Sequence, residues 1–293
     1  MGISLISQSL ARSQTLKCLE RLPKLSPLMA QLLARLSRRN CDVQELTEIV
    51  GKDPVLSAQV LQLANSAIFG RLRPVSSVGH AVAMVGVGTL RKFALGSSIS
   101  NLFSRVKPAQ TFSLLRFNLH AVATAALLEL LAEEVPFEHG EDAFLAGLLH
   151  DIGKLLIAVT FPQQYDDLLA IITVNDVPLL EAERSILGID HAELSSLAVS
   201  QWGLSEAVQA AACHHHDCDP PESAAGARPQ RVQLSVGVHH ADLFVNHLGM
   251  AVLPIALVSQ KAPTLEIPGV TFAVEKVLSR FEREVKTLAD LFH

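Results

Sequence analysis

The sequence has little of what several protein classes require. It carries one tryptophan and one tyrosine, and aromatic residues make up only 5% of its 293 positions, so a core must rest on Leu, Val, Ile and Ala. It has no basic excess, because the formal net charge is −5. Proteins that grip nucleic acid draw much of their affinity from neutralised phosphates, so that class is not expected. Its four cysteines, Cys18, Cys41, Cys213 and Cys218, form no C-x-x-C pair. They read as neither a structural zinc site nor a disulfide framework, and a reducing cytoplasm is the expected location. The opening residues, M-G-I-S-L-I, show no basic n-region and no cleavage site, so no secretory signal is expected. Ile6 stands where a myristoylation motif wants Ser or Thr. The longest uncharged run near the C-terminus, Leu243–Gln260, contains Asn246, His247, Pro254 and Gln260, so no membrane span is expected there.

What is present points to helices. Hydrophobic residues make up 49% and charged residues 18%, which argues for a folded core and against disorder. Ser26 can cap a helix with Pro27 at its first position. Asp42 and Glu45 have capping-box spacing, and Asp53–Pro54 opens a segment with Val55, Leu56, Val60, Leu61 and Leu63 on a core face. Further helices are expected near 76–86, 88–104, 111–134, 141–150, 162–175, 178–187, 190–201, 205–214, 229–248 and 273–291. Strand alternation is weak throughout, and only Val75–Val87, rich in β-branched residues and glycine, has a poor helix propensity within a helical assignment. The break K-P-A-Q near Val106–Thr111 divides the chain into an N-terminal helical bundle, 1–108, and a helical domain, 109–293.

Two basic groups are candidates for a surface role. Arg35, Arg38 and Arg39 read as a solvated helix face. Arg71, Arg73, Arg91 and Lys92 are the residues a nucleic-acid binder would use, against the acidic net charge.

The stretch G-L-L-H-D-I-G-K at 147–154 runs an apolar segment into two strong metal ligands. On one helix, His150 and Asp151 would point roughly 100° apart and reach two sides of a cluster. His120, His191, His215, His216 and Asp242 complete a set of seven. Imidazoles and carboxylates suit Fe, Mn or Zn. Seven ligands exceed one four-coordinate site and fit two ions sharing a carboxylate, with Asp151 as the natural bridge. Two ions about 3.5–4 Å apart can activate water and steady a phosphoester displacement. Asp190 and Glu193 have capping-box spacing and would place His191 in the first turn of a helix. Taken singly, each of these residues has an ordinary explanation as a core histidine or a solvated charge. The joint pattern carries the reading. His80, His139, His214, His239, His240, His247 and His293 read as structural or surface residues.

The chain resembles the HDOD proteins, a group of bacterial signalling modules related to the HD superfamily. The N-terminal marks are L-P-K-L-S at 22–26, D-P-V-L-S-A-Q-V-L-Q-L-A-N-S-A-I-F-G at 53–70 and V-S-S-V-G-H-A-V-A-M-V-G at 75–86. The C-terminal marks are A-F-L-A-G-L-L-H-D-I-G-K at 143–154, E-A-E-R-S-I-L-G-I-D-H-A-E at 181–193 and W-G-L-S-E at 202–206. The resemblance implies an all-α fold, an N-terminal helical bundle packed on an HD-type bundle. It also implies signal transduction through protein partners such as response regulators or cyclic-dinucleotide pathways, without established catalysis in most members. The related HD-GYP phosphodiesterases hydrolyse cyclic di-GMP at a bi- or trinuclear centre. Their ligand order matches His120, His150-Asp151, His191, His215-His216 and Asp242. The G-Y-P loop is replaced here by D-C-D-P-P-E-S-A-A-G-A-R-P, and Arg116 stands where trinuclear members carry a glutamate. The resemblance gives Lys154 a phosphate-binding role in active members. Two readings follow. The first is a cytoplasmic, non-catalytic output module with up to two divalent ions. The second is a metal-dependent phosphohydrolase in which Asp151 and Lys154 carry the chemistry.

Overall fold

The structure is a computed structural model, which describes residues 5–36, 42–66, 74–103, 106–217, 231–253 and 264–292. The fold is all-α. Among the described residues no β-strand forms, and only two isolated bridges occur, Phe137 with Val232 and Ile267 with Val270.

The first half holds α1 (Leu5–Leu16), α2 (Pro27–Leu36), α3 (Val43–Gly51), α4 (Pro54–Ala64), α5 (Val78–Val85) and α6 (Val87–Leu102). The expected caps are in place. Ser26 Oγ accepts from Met29 N at 3.1 Å, and Asp42 Oδ1 from Glu45 N at 2.7 Å. Asp53 Oδ1 accepts from Val55 N at 2.9 Å. The β-branched stretch is helical over Val78–Val85, where Ala81, Val82 and Val85 bury against neighbouring helices. Tertiary packing outweighs propensity there. Gly86, at φ 87°, separates α5 from α6.

The second half is built around α7 (Leu114–Glu134), which is buried along most of its length. α8 (Ala143–Leu149) and α14 (Leu234–Val245) pack on it. α9 (Ile152–Thr160), α10 (Pro162–Asn175), α11 (Leu179–Leu187), α12 (His191–Gln201) and α13 (Glu206–His214) complete the second half, α12 lying against α9 and α13, and α10 against α9 and α11. A single wide π-turn, Asn246–Met250, ends α14. The helix expected over 229–248 is therefore shorter, and its first residues fall outside the described ones. α7 and the 140–160 stretch are long and apolar enough to cross a membrane by length and composition alone, yet 72% and 89% of their apolar windows are buried inside the protein. They are core helices here.

α15 (Val274–Phe292) lies along α7 and α6. Val277 and Phe281 bury on its inner face. Arg280 pairs with Glu133 in a two-point contact at 2.6 and 2.9 Å, and Lys276 with Glu134 at 2.6 Å. An ionic cluster sits beneath. Arg91 Nη2 lies 2.5 Å from Glu129 Oε1 and Lys92 Nζ 3.4 Å from Glu129 Oε2, all three residues at most 6% exposed. Lys92 also pairs with Glu284. Arg91 and Lys92 thus join α6 to α7 and α15 and offer nucleic acid nothing. Arg71, Arg73, Arg38 and Arg39 lie outside the described residues, and Arg35 pairs with Glu45 at 3.1 Å.

Candidate metal centre

The helix expected over 141–150 stops at Leu149, and a second helix starts after Asp151. His150 caps the C-terminal end of α8 and Asp151 opens α9, with φ −105° and ψ 10° at Asp151. A straight helix would have turned the two side chains about 100° apart. The break instead lets both converge on one cluster. Gly153 makes the tight packing behind them possible. A Cβ there would fall 2.1 Å from the carbonyl oxygen of His191. Gly153 N also donates to Ser195 Oγ at 2.8 Å, and that hydroxyl donates to His191 O at 2.7 Å. α9 and α12 are thereby held backbone against backbone.

The seven expected residues come together as two groups that share Asp151. His120, His150, Asp151 and Asp242 form one, and Asp151, His191, His215 and His216 the other, with the ligand atoms of each group within 4.8 Å of one another. In the first group, Asp151 Oδ2 lies 3.5 Å from His120 Nε2 and 3.4 Å from His150 Nε2. Asp242 Oδ1 closes it at 3.1 Å from His120 Nε2 and 3.6 Å from His150 Nε2. In the second group, Asp151 Oδ1 lies 3.3 Å from His191 Nε2 and 3.6 Å from His215 Nε2. One carboxylate oxygen serves each group.

The outer nitrogens explain the orientation. Nδ1 of His120, His150 and His215 lies 3.2, 2.8 and 2.7 Å from the carbonyl oxygens of Met250, Gly147 and Ala212. His191 Nδ1 lies 2.7 Å from Glu183 Oε2. Carbonyls and carboxylates only accept, so each Nδ1 donates and each Nε2 faces inward, where it either holds a proton or offers a lone pair to a cation. Glu183 was not singled out from sequence, although it lies within E-A-E-R-S-I-L-G-I-D-H.

These residues fit a divalent metal. His120 Nε2 and His150 Nε2 face each other at 3.3 Å, and His191 Nε2 and His216 Nε2 at 2.9 Å. Inward lone pairs at such separations call for a cation or a proton between them. Asp151 Oδ1, fully buried, accepts no hydrogen bond. Burial opposes charge on His150, but Asp151 and Asp242 outweigh it and raise its pKa to about 10. Burial, aided by the neighbouring His150 and His191, leaves His215 lowered to about 4. Burial disfavours the charged form of Asp151, yet His150, Lys154 and His120 hold its pKa well below the usual range. The cluster can hold a metal ion.

Lys154 Nζ lies 2.6 Å from Asp151 Oδ2 and is 7% exposed. Arg116 points elsewhere: its Nε and Nη2 donate to Ala251 O and Leu253 O, both at 3.0 Å. His239 Nδ1 lies 2.7 Å from His215 O, which makes it a brace for the α13 end. The replaced G-Y-P loop lies almost wholly outside the described residues.

The HDOD domain model matches residues 22–218. The chain belongs to the HDOD family. An HDOD protein of unknown function from Geobacter sulfurreducens is similar in structure, at 19% identity and a TM-score of 0.71, covering 99% of each chain. A candidate signal transduction protein from Marinobacter aquaeolei VT8 has 20% identity and a TM-score of 0.70, covering 99% of this chain and 67% of its own. A candidate phosphohydrolase from Shewanella amazonensis SB2B has 23% identity and a TM-score of 0.65, covering 96% of this chain and 99% of its own. At these identities the likeness shows the HDOD fold. An uncharacterized protein of Treponema pallidum (strain Nichols) is 20% identical over 205 residues, and the match covers 68% of this chain but only 38% of that relative.

Proposed function

We propose that this HDOD protein is a cytoplasmic signalling output module that acts through protein partners and holds two divalent ions as a structural centre. Its two parts would be a helical bundle, 1–108, and a helical domain, 109–293, that holds the centre. The burial of the ligands supports this reading most. His120, His150, Asp151, His191, His215 and Asp242 are each at most 4% exposed, and His216 alone is partly open. A substrate phosphate would have to reach ions enclosed on nearly every side. Metal at such a site supplies folding free energy, which keeps the ligands useful without chemistry.

A phosphohydrolase is the second reading, favoured by the full ligand set and by Lys154 beside Asp151. Divalent ions, when bound, would supply Lewis acidity to a phosphoryl oxygen. In that case Lys154 would have to leave Asp151 to meet the phosphate, and His216 would mark the open side.

Elemental analysis of protein purified without an affinity tag, beside Asp151→Ala, tests both. About two ions per chain are expected in the wild type and none in the variant. The loaded protein should leave cyclic dinucleotides intact and retain a protein partner from its own cell extract. Turnover that disappears in Asp151→Ala would move the assignment to the second reading.

A further inference from the structure

The HDOD match begins at residue 22, so α1 precedes it. This helix nonetheless seats on the turn that delivers His191. Gly188 ends α11 at φ 70°, Asp190 caps α12, and His191 is the first residue of α12. Thr15, 2% exposed, donates from Oγ1 to Leu187 O at 2.8 Å. Arg12 Nη1 donates to Glu193 Oε2 at 2.8 Å and to Gly188 O at 3.4 Å, and Nη2 pairs with the other carboxylate oxygen. Glu193 N in turn donates to Asp190 Oδ1 at 2.8 Å, so Arg12 grips the same turn whose cap fixes His191.

The backbones meet as closely as they can. A Cβ at Gly188 would lie 2.5 Å from Gln8 O and 2.6 Å from Arg12 N. The positive φ already favours glycine there, and the contact with α1 leaves no room for a side chain. At the far end of α12, Gln201 Nε2 donates to Leu19 O and Trp202 Nε1 to Pro23 O, both at 2.9 Å. Residues 8–23 therefore hold α12 at both ends.

We infer that α1 is a strap that positions His191 for metal binding, so that docking of α1 and uptake of metal are coupled. This rests on the metal-centre reading above. Arg12 and Thr15 touch no candidate ligand and act through Glu193 and Leu187, which makes them positioning residues. Metal–ligand distances tolerate only about 0.2 Å of error, so a small shift of α12 weakens the centre. Coupling is reciprocal: whatever α1 adds to metal affinity, metal adds to the docking of α1.

The test uses the full chain and Co²⁺, whose visible absorption reports ligand geometry. Gly188→Ala should weaken Co²⁺ binding about tenfold or more and shift the bands, as loss of outer support does elsewhere. Arg12→Ala, which removes a half-exposed pair, should weaken it about two- to fivefold. Arg12→Lys should recover part of that loss. Arg280→Ala breaks a comparable pair on α15 and should bind as wild type does. Trypsin cleavage after Arg12 in the wild type should slow when Co²⁺ is present. Should Gly188→Ala fail to fold, the exposed Arg12 variants decide. Wild-type affinity and spectrum in Arg12→Ala, with trypsin indifferent to Co²⁺, would overturn the strap. A wild type that takes up no Co²⁺ would instead bring down the metal-centre reading, and the strap with it.

Discussion

Glu183 holds His191 by two hydrogen bonds to one oxygen. Oε2 accepts from the backbone N–H at 2.8 Å and from Nδ1 at 2.7 Å. One carboxylate thus fixes both the start of α12 and the tautomer of its first side chain. Glu183→Ala should lower metal affinity about 10- to 100-fold, the usual cost of losing an outer partner. Glu183→Gln keeps one accepting oxygen and should lose less. Competition with a chromogenic chelator measures both, and equal affinity in all three proteins would remove Glu183 from the site.

The two groups around Asp151 should empty separately. Asp242 belongs to one group alone, and His216 to the other. Asp242→Ala should retain one ion per chain, as should His216→Ala, whereas Asp151→Ala should retain none. Elemental analysis reads the difference directly. Equal losses in all three variants would mean one shared site rather than two.

Metal uptake should release protons. Against the cost of burial, Asp151 and Asp242 raise the pKa of His150 to about 10. A histidine in an unfolded chain titrates near 6.5, roughly. The sign follows: between these values the metal-free fold keeps a proton on His150 that an incoming cation must displace. Apparent affinity for Mn²⁺ should therefore rise with pH across that window and level off above it. Calorimetry at pH 7 in buffers of different ionisation enthalpy counts the protons, and a count of zero would contradict the assignment.

The Arg91–Glu129 pair should be costly to break from one side. Both residues are almost fully buried, and the Arg91 guanidinium also lies 4.8 Å from the centre of the Phe144 ring. Glu129→Ala leaves two cations, Arg91 and Lys92, without this carboxylate in the interior. A loss of about 3–5 kcal/mol is expected from urea unfolding. A loss below about 1 kcal/mol would mean that water reaches the cluster.

The helices were largely legible because their starts are written in local chemistry. Asp42, Asp53 and Asp190 each cap where their spacing places them. The ligands were legible through residue type, order and the HDOD resemblance. What local sequence does not carry is long-range contact. The break between His150 and Asp151 is set by α9 lying against α12, which depends on Gly153 meeting His191, 38 positions away by number. α9 itself went unassigned, because the helix expected over 141–150 ends at His150 and the apolar run beyond it has no side-chain cap to mark a new start. Glu183 gave no sign of its partner, since nothing local distinguishes it from a surface glutamate. Arg91 and Lys92 looked like surface charge for the same reason, their carboxylate partner lying on another helix.

The unequal burial of the two groups has a kinetic consequence. Every ligand of the His120 group is enclosed, whereas the His191 group includes the partly open His216. An ion held in the enclosed group would leave only when helices part, so its residence time would depend on local opening of the fold. An ion beside His216 would have a shorter path to solvent. The centre would then combine a slow ion that records how the protein was assembled with a fast one that follows the metal supply of the moment.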